Sequence, residues 1–479
     1  IKTAKHQLGA PPWTALQPGS ATGKLLEHPS LQSFVDSKQE GGDLVLFLQS
    51  AQGDEDIPPN VKGIVLAQEL PLLSHLGVRA RQQGVVFACS DGEGPFSELK
   101  GGAKGLIGKA VQISVDVSGM VSLKDGKGAP VGGGSSKPAA EAPKAGSLVA
   151  DYDESVKKVV SCADSTEKTT GAKCNAAGEL ESIASKVGFK APEGCAIAFG
   201  VMKQAAKGSW GAYSKLCDEF DAKATDGVEA EALAAQVRDM IKREWAVDPA
   251  VVKAIQGKVA KGSKVMVRSS ANCEDLQKMS GAGLYDSIAN VDSASDAALG
   301  EAVSLVWQSL WTKRAAQSRK AAGMKHTSAV MGVLVQRMVV PKLAFIAFSN
   351  NPMSRDEGEV YIEMCVGMGE TLASASQPGT PYRFSYSKGD GTVTTLALSS
   401  FSKSLVARGD SFDLAEEAID YSAVKLHNDA KYRDELVAGI AKAVMGIADA
   451  RKEPQDVEGA VDEAGDVHIV QTRPMVLSD

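Results

Sequence analysis

Between about residues 123 and 150 the chain gives up any prospect of a packed core. The run Gly132-Gly-Gly-Ser-Ser-Lys-Pro-Ala-Ala-Glu-Ala-Pro143 carries no large apolar side chain. Such a stretch cannot bury enough surface to offset the entropy of ordering its backbone. The composition predicts a flexible tether with stiffer Pro/Ala patches. It divides the chain into a small unit, residues 1–122, and a large one, residues 151–479. A tether of this kind is either a passive spacer or a swivel that lets one unit visit two places. With 479 residues there is length for two or three domains.

Composition excludes several function classes. A net charge of -7 disfavours a nucleic-acid binder that draws its affinity from phosphate contacts. No run reaches the about 18 apolar residues that a membrane span requires. Seven cysteines, odd in number and scattered without a C-x-x-C pair, predict free thiols in a reducing compartment and no zinc site. The start, Ile1-Lys-Thr-Ala4, has neither an initiator Met nor a signal-peptide pattern, which suggests a piece of something longer.

In the small unit four short apolar runs read as strands: 43–48, 63–67, 85–88 and 110–115, with short helices between them. His75 falls on the loop or helix start after the second of these, in Leu70-Pro-Leu-Leu-Ser-His-Leu-Gly-Val-Arg-Ala-Arg81. A histidine that carries a phosphoryl group needs a free ring nitrogen, a group to fix its tautomer and nearby cations. Ser74, Arg79 and Arg81 are residues of those types. The competing reading is a hydrogen-bonded structural histidine.

In the large unit, Gly171-Ala-Lys-Cys174 opens a helix, so Lys173 can aim its ammonium at a phosphate alongside the helix dipole. Arg268 ends the apolar strand 264–268, before Ser269, Ser270 and the glycine-rich turn 280–285. An arginine fork with a Gly/Ser loop suits phosphate oxygens, although the segment is not a P-loop. A helix over 300–320 with Leu305, Trp307, Leu310 and Trp311 as its apolar stripe would bury Arg314, either in an ion pair or against a phosphate. Residues 330–340 read as a buried strand containing Gln336 and Arg337. Its end could take an adenine on backbone groups, with Met338 packed on the ring. Residues 359–363 and 367–370 read as the continuation of the same sheet, ending in a glycine turn.

The C-terminal segment is the most constrained. Residues 455–462 and 466–473 read as two strands around a turn at Ala464-Gly465. Centring the hairpin there puts Glu458 opposite Gln471 and Asp456 opposite Arg473, all four on one face. Two carboxylates, an amide and an arginine are costly as core and reasonable as a Mg²⁺ and phosphate site. Val457, Val461 and Val470 would form the core face.

Taken together, Pro18-Gly-Ser-Ala-Thr-Gly23, the segment 68–82 around Ser74-His75, Val267-Arg-Ser-Ser-Ala-Asn-Cys-Glu-Asp-Leu276, Ser280-Gly-Ala-Gly-Leu-Tyr285, Gly367-Met-Gly-Glu-Thr-Leu372, Gln455-Asp-Val-Glu-Gly459 and Ile469-Val-Gln-Thr-Arg-Pro474 resemble the glucan water dikinases, from about Leu16 to the end. Pyruvate phosphate dikinase and phosphoenolpyruvate synthase belong to the wider family. There the nucleotide domain comes first and a pyruvate-binding barrel is present. Here the histidine unit leads, as in the glucan enzymes. Leu70-Pro-Leu-Leu-Ser-His-Leu-Gly77 is more like the branch that acts on phosphoglucan than the one with Met-Pro-Asp before Ser-His.

The resemblance implies an α/β (α+β) chain: a swivelling phosphohistidine domain tethered to an ATP-grasp nucleotide-binding domain. It implies transfer of the β-phosphate of ATP to His75 and on to a glucosyl residue, expected at O-3, of a starch-type α-glucan that already carries phosphate. The γ-phosphate goes to water. It further implies ATP contacts from Lys173, Arg268, Arg314, Gln336, Met338 and Asp456, and Mg²⁺ on Glu458 and Gln471. Arg337 departs from the glutamate more usual in that strand. A carbohydrate-binding module upstream and a plastid location are also implied. The alternatives are a dikinase with another acceptor, such as pyruvate or unphosphorylated glucan, and a non-catalytic glucan- or ATP-binding regulator. Loss of His75, Arg268 or Glu458 would have favoured the regulator, and all three are present.

Overall fold

The structure is a computed structural model that describes residues 12–37, 41–53, 55–90, 93–126, 151–224, 227–274, 283–354, 356–374, 377–409 and 412–475. The tether expected over 123–150 lies outside the described residues from position 127 onward, as do Asp275 and the start of the glycine-rich turn at 280–282.

The N-terminal part is built on a seven-stranded sheet. In spatial order its strands are Trp13–Gln17, Val86–Ser90, Val61–Leu66, Leu44–Ser50, Gly19–Ser30, Ala110–Val115 and Val121–Asp125. The middle pairings are parallel and both margins are antiparallel. Strands in the parallel centre are covered on both faces, which is why Leu44-Val-Leu-Phe-Leu48 and Val86-Phe-Ala-Cys-Ser90 are buried without a break. Ala110–Val115 nearer the margin alternates buried and exposed instead. All four expected strands are present. The strands at 13–17, 19–30 and 121–125 lacked a continuous apolar run and were not expected.

Among the described residues the C-terminal part has two large antiparallel sheets and a small two-stranded one, Lys403–Ala407 with Leu414–Ala418. One large sheet has five strands, in the order Ser287–Asp292, Lys264–Ala271, Met331–Arg337, Gly194–Ile197 and Val159–Ser161. The other has six: Val393–Ala397, Tyr382–Ser387, Glu359–Val366, Leu343–Phe348, Gln455–Val461 and Val467–Pro474. Residues 359–366 therefore do not continue the sheet of 331–337, as the sequence suggested. The two strands belong to different sheets, and 359–366 lies between the unanticipated strands Leu343–Phe348 and Tyr382–Ser387.

The faces of the six-stranded sheet differ in chemistry because side chains alternate along each strand. Phe345, Ala347, Ile362, Met364, Phe384 and Val457 pack beneath the long Ala430–Arg451 helix. The other face carries Ala344, Ile346, Phe348 and Tyr361, and these share an apolar cluster with Leu16, Leu70, Leu72 and Leu73 of the N-terminal part. The segment leading to His75 is thus seated on the six-stranded sheet. Each leucine covered this way contributes about 1.5–3 kcal/mol relative to exposure.

The stretch 300–320 is not one helix. It divides into Asp296–Gln308, a single 3₁₀ turn at Ser309–Trp311, and Lys313–Ala321. Thr312 caps the last piece, accepting from the Ala315 N–H at 3.1 Å while donating to the Leu284 carbonyl at 3.1 Å. Trp307, Leu310 and Trp311 are buried as expected, but Leu305 is only half-buried. The fully buried arginine is Arg319, not Arg314. Its guanidinium donates to the Leu310 carbonyl at 2.5 Å and to Nδ1 of His326 at 3.2 Å. All seven cysteines are buried free thiols. Among the described residues no helix is long and apolar enough to cross a membrane.

Candidate active site

His75 is the first residue of the His75–Gln83 helix, which ends on Gly84 at φ 65. The expectation that Ser74 orients the ring is corrected. Ser74 is the helix cap, its Oγ accepting the Gly77 N–H at 3.3 Å. The imidazole Nδ1 is buried and has no hydrogen-bond partner among the described residues. Gly283, at φ 66, approaches the ring so closely that a Cβ there would lie 2.5 Å from Nδ1.

Burial holds the His75 imidazolium well below its usual range, and Arg79, Arg473, Arg314 and Lys173 add to this in that order. The ring is therefore neutral, the form that can attack phosphorus. The four cations come from four separate segments, and each disfavours the charged form of the ring. That is a poor arrangement for a structural histidine and a suitable one for a ring that receives phosphate. Arg79 is one turn along from His75 and also donates to the Glu55 carbonyl at 2.7 Å. Arg81, grouped with Arg79 on sequence, points elsewhere: it donates to the carbonyls of Leu16 at 3.3 Å and Leu72 at 2.9 Å. Its role is to hold the segment before His75 together.

Lys173 lies in the first turn of the Ala172–Val187 helix, as expected. Its Nζ meets Glu274 Oε1 at 2.6 Å and Ser269 Oγ at 3.3 Å. Gly171 at the cap has φ 91, and a Cβ there would fall 2.3 Å from the Ser270 carbonyl oxygen, so only glycine lets this helix start against the strand. Arg314 is the second residue of the Lys313–Ala321 helix and is half-buried.

The half of the hairpin away from the turn has the expected pairing, whereas next to the turn Val461 faces Val467, one step off it. Glu458 pairs with Gln471 and Asp456 with Arg473, and Arg473 Nε donates to Asp456 Oδ2 at 2.8 Å. Beyond Glu458 a bulge shifts the pairing, so Gly459 faces Ile469. The expected core position of Val470 passes to Ile469, which is fully buried, whereas Val470 is only half-buried. The bulge has a use: the Val470 carbonyl accepts from Arg268 Nη1 at 3.0 Å. Arg268 Nη2 binds Gln471 Oε1 and stands 3.8 Å from Glu458 Oε2. Arg268 thus bridges the five-stranded sheet to the hairpin of the six-stranded one.

Gln336 and Met338 are buried near the end of the Met331–Arg337 strand. Leu334 pairs with Arg268 and Gln336 with Met266, so Gln336 shares a sheet face with Arg268. Arg337 is exposed at the strand end, not inside it. The N–H groups of Arg337 and Met338 go to the carbonyls of Glu193 and Lys264, each at 2.8 Å. Those two amides are therefore engaged within the protein. Sequence reasoning also missed Glu274, which fixes Lys173, and Glu363 with Arg383, which hold the His75 segment. The first was within reach as an acid six residues after a phosphate-type arginine. The other two have no local signal.

Residues 167–478 match the family described as pyruvate phosphate dikinase, AMP/ATP-binding domain, and residues 12–128 match the alpha-glucan water dikinase, phosphohistidine-like domain. The chain is 27% identical over 465 residues to alpha-glucan water dikinase 2 of Arabidopsis thaliana, covering 90% of this chain and 33% of that protein. It is 26% identical over 498 residues to the chloroplastic alpha-glucan water dikinase of Solanum tuberosum, covering 97% and 31%. A phosphoenolpyruvate synthase of Pyrococcus furiosus is 29% identical over 214 residues, 44% of this chain and 26% of that one. The chain spans about a third of the length of the glucan dikinases it matches. More than half of it falls within the nucleotide-binding family and most of the remainder within the phosphohistidine one, so the chain belongs to the pyruvate phosphate dikinase AMP/ATP-binding family, in the arrangement that places a glucan-dikinase phosphohistidine domain first.

Proposed function

We propose that this chain is the phosphoryl-transferring portion of a glucan water dikinase. The observation that carries this reading is the buried Nδ1 of His75, unbonded among the described residues, on a ring that Gly283 of the C-terminal part closely approaches and whose charged form is disfavoured by burial and by Arg79, Arg473, Arg314 and Lys173. The two large antiparallel sheets take ATP between them in the ATP-grasp manner. Lys173, Arg268 and Arg314 hold phosphate oxygens. Gln336 and Met338 line the adenine side, and Asp456 orients Arg473 beside them. Glu458 and Gln471 present a carboxylate and an amide oxygen side by side, a donor pair that suits Mg²⁺, which when bound neutralises the β- and γ-phosphates.

A ring nitrogen of His75 forms a bond to the β-phosphorus, AMP leaves, and water takes the γ-phosphoryl group as orthophosphate. The N–P bond then breaks as a glucosyl hydroxyl oxygen bonds to phosphorus and gives up its proton. Positioning and charge neutralisation do most of the work in such transfers. Because the two acceptors cannot occupy one place, the histidine unit swings relative to the domain at 151–479. The tether expected over 123–150 supplies the reach, with its first residues given up to the strand Val121–Asp125, so the histidine unit runs past the expected boundary at 122.

The acceptor is an α-glucan that already carries phosphate, taken at O-3. The segment Leu70-Pro-Leu-Leu-Ser-His75 supports this choice. The names of several relatives, alpha-glucan water dikinases, favour a second reading in which plain glucan is the acceptor. The word chloroplastic in two of those names supports a plastid setting, and starch affinity would come from a carbohydrate-binding module elsewhere in the protein. Product analysis tests the reading. With ATP and pre-phosphorylated glucan, AMP, orthophosphate and glucan phosphate should form in equal amounts. Faster reaction with plain glucan would select the second reading, and ADP as the nucleotide product would end both.

A further inference from the structure

One face of the six-stranded sheet carries two zones. Asp456 and Glu458 lie opposite Phe348 and Ile346, those two lie opposite Tyr361 and Glu363, and Glu363 lies opposite Arg383. All of them project to the same side. The first zone is the hairpin already described. The second grips the chain just ahead of His75.

Glu363 is wholly buried. Its Oε1 accepts the Leu72 backbone N–H at 3.0 Å and its Oε2 the Leu73 N–H at 2.9 Å. The Tyr361 hydroxyl and Arg383 Nε donate to the same carboxylate at 3.3 and 3.0 Å. Arg383 continues to the Leu70 carbonyl at 3.2 Å and to Glu69 Oε1 at 3.4 Å. Thr380 donates its hydroxyl to Glu69 Oε2 at 2.6 Å. From inside the N-terminal part, Arg81 holds the Leu72 carbonyl of the same segment.

A carboxylate that takes two consecutive backbone amides fixes the path of the chain, not a side chain. Buried charge-assisted bonds of this kind are strong and directional. Leu73 is separated from His75 only by the cap residue Ser74, so the direction of the helix start follows from where those amides are held. None of these contacts is made to Lys173, Arg268, Arg314 or the hairpin. We infer that Glu363 and Arg383 are positioning residues for the first half-reaction: they clamp the Glu69–Leu73 segment and so set His75 against the nucleotide site. The clamp must open before His75 can reach glucan. This inference rests on His75 being the phosphoryl carrier.

The test separates the two half-reactions. Glu363→Gln keeps the shape but places an amide N–H₂ against a backbone N–H and leaves Arg383 with Glu69 as its remaining carboxylate partner. Label transfer from ATP to His75 is expected to slow about 10²-fold, the cost of a misplacement near 1 Å. The ATP concentration for half-maximal rate should stay at the wild-type value. The variant, loaded by long incubation with ATP and then isolated, should pass its phosphoryl group to glucan at the wild-type rate. Amide hydrogen exchange in the 69–81 segment should quicken while the strands at 343–348 and 455–461 stay protected.

Labelling at the wild-type rate overturns the inference, as does an equal fall in both half-reactions. Glu69→Gln loosens the clamp from the opposite side, is expected to give the same split, and decides the matter if Glu363→Gln does not fold. An unlabelled wild type would instead remove the carrier reading itself.

Discussion

Replacing Arg268 with alanine is expected to slow phosphoryl transfer from ATP about 10³-fold, or about 4 kcal/mol of barrier, with little loss of fold. Two effects combine. The site loses a cation, and the hairpin loses what holds it in place. Arg268 reaches the Val470 carbonyl with one guanidinium nitrogen and Gln471 Oε1 with the other, and it stands 3.8 Å from Glu458. Without it the Gln471 amide can turn, and the candidate metal oxygens are no longer fixed to the five-stranded sheet. Arg268→Lys should recover little, because a single ammonium cannot span both oxygens as the planar fork does. Single-turnover labelling read beside thermal melting measures both consequences.

Glu458→Ala is the second large loss. The rate at a fixed, low millimolar Mg²⁺ concentration should fall about 10²- to 10³-fold, with part of it recovered at high Mg²⁺, since the remaining amide oxygen and the phosphates still offer ligands. Treating the unaltered protein with a chelator should stop transfer outright and reversibly. Titrating Mg²⁺ against initial rate for both proteins checks this. A variant with an unshifted metal requirement would place the metal elsewhere.

The shared face of the hairpin was readable from sequence because side chains alternate with period 2. Its register was readable only in part: next to the turn, where Gly465 has φ 86, Val461 faces Val467, one step from the expected pairing, and the bulge restores Glu458 opposite Gln471 and Asp456 opposite Arg473. The bulge at Val470 was not readable. It answers to Gly459, where a Cβ would sit 2.2 Å from the Phe345 ring, and Phe345 lies on a strand more than a hundred residues away.

The reading of 300–320 failed for a different reason. The apolar spacing of Trp307, Leu310 and Trp311 persists through a break that Thr312 makes by capping a new helix. Periodicity alone does not register a cap in mid-pattern. Attaching the buried-arginine argument to Arg314 instead of Arg319 followed from that error.

The assembly of the site around His75 lay furthest from sequence. Lys173, Arg314 and Arg473 could each be suspected as phosphate-type residues, but their shared effect on one imidazole is a property of how the parts dock. The same holds for Glu363, which meets the Leu72 amide across 291 residues of chain. Glu-Val-Tyr-Ile-Glu363 reads only as an alternating strand, and nothing nearby says that its last acid will be buried.

The measurement that bears most directly on this account is incubation with ATP labelled at the β-phosphate, for the unaltered protein and for His75→Ala, followed by separate acid and alkali treatment. The account predicts label on the unaltered protein alone, lost in acid and kept in alkali, as a phosphoramidate requires. Equal label on His75→Ala, or AMP formation by the unaltered protein with no label retained at any time, would contradict it.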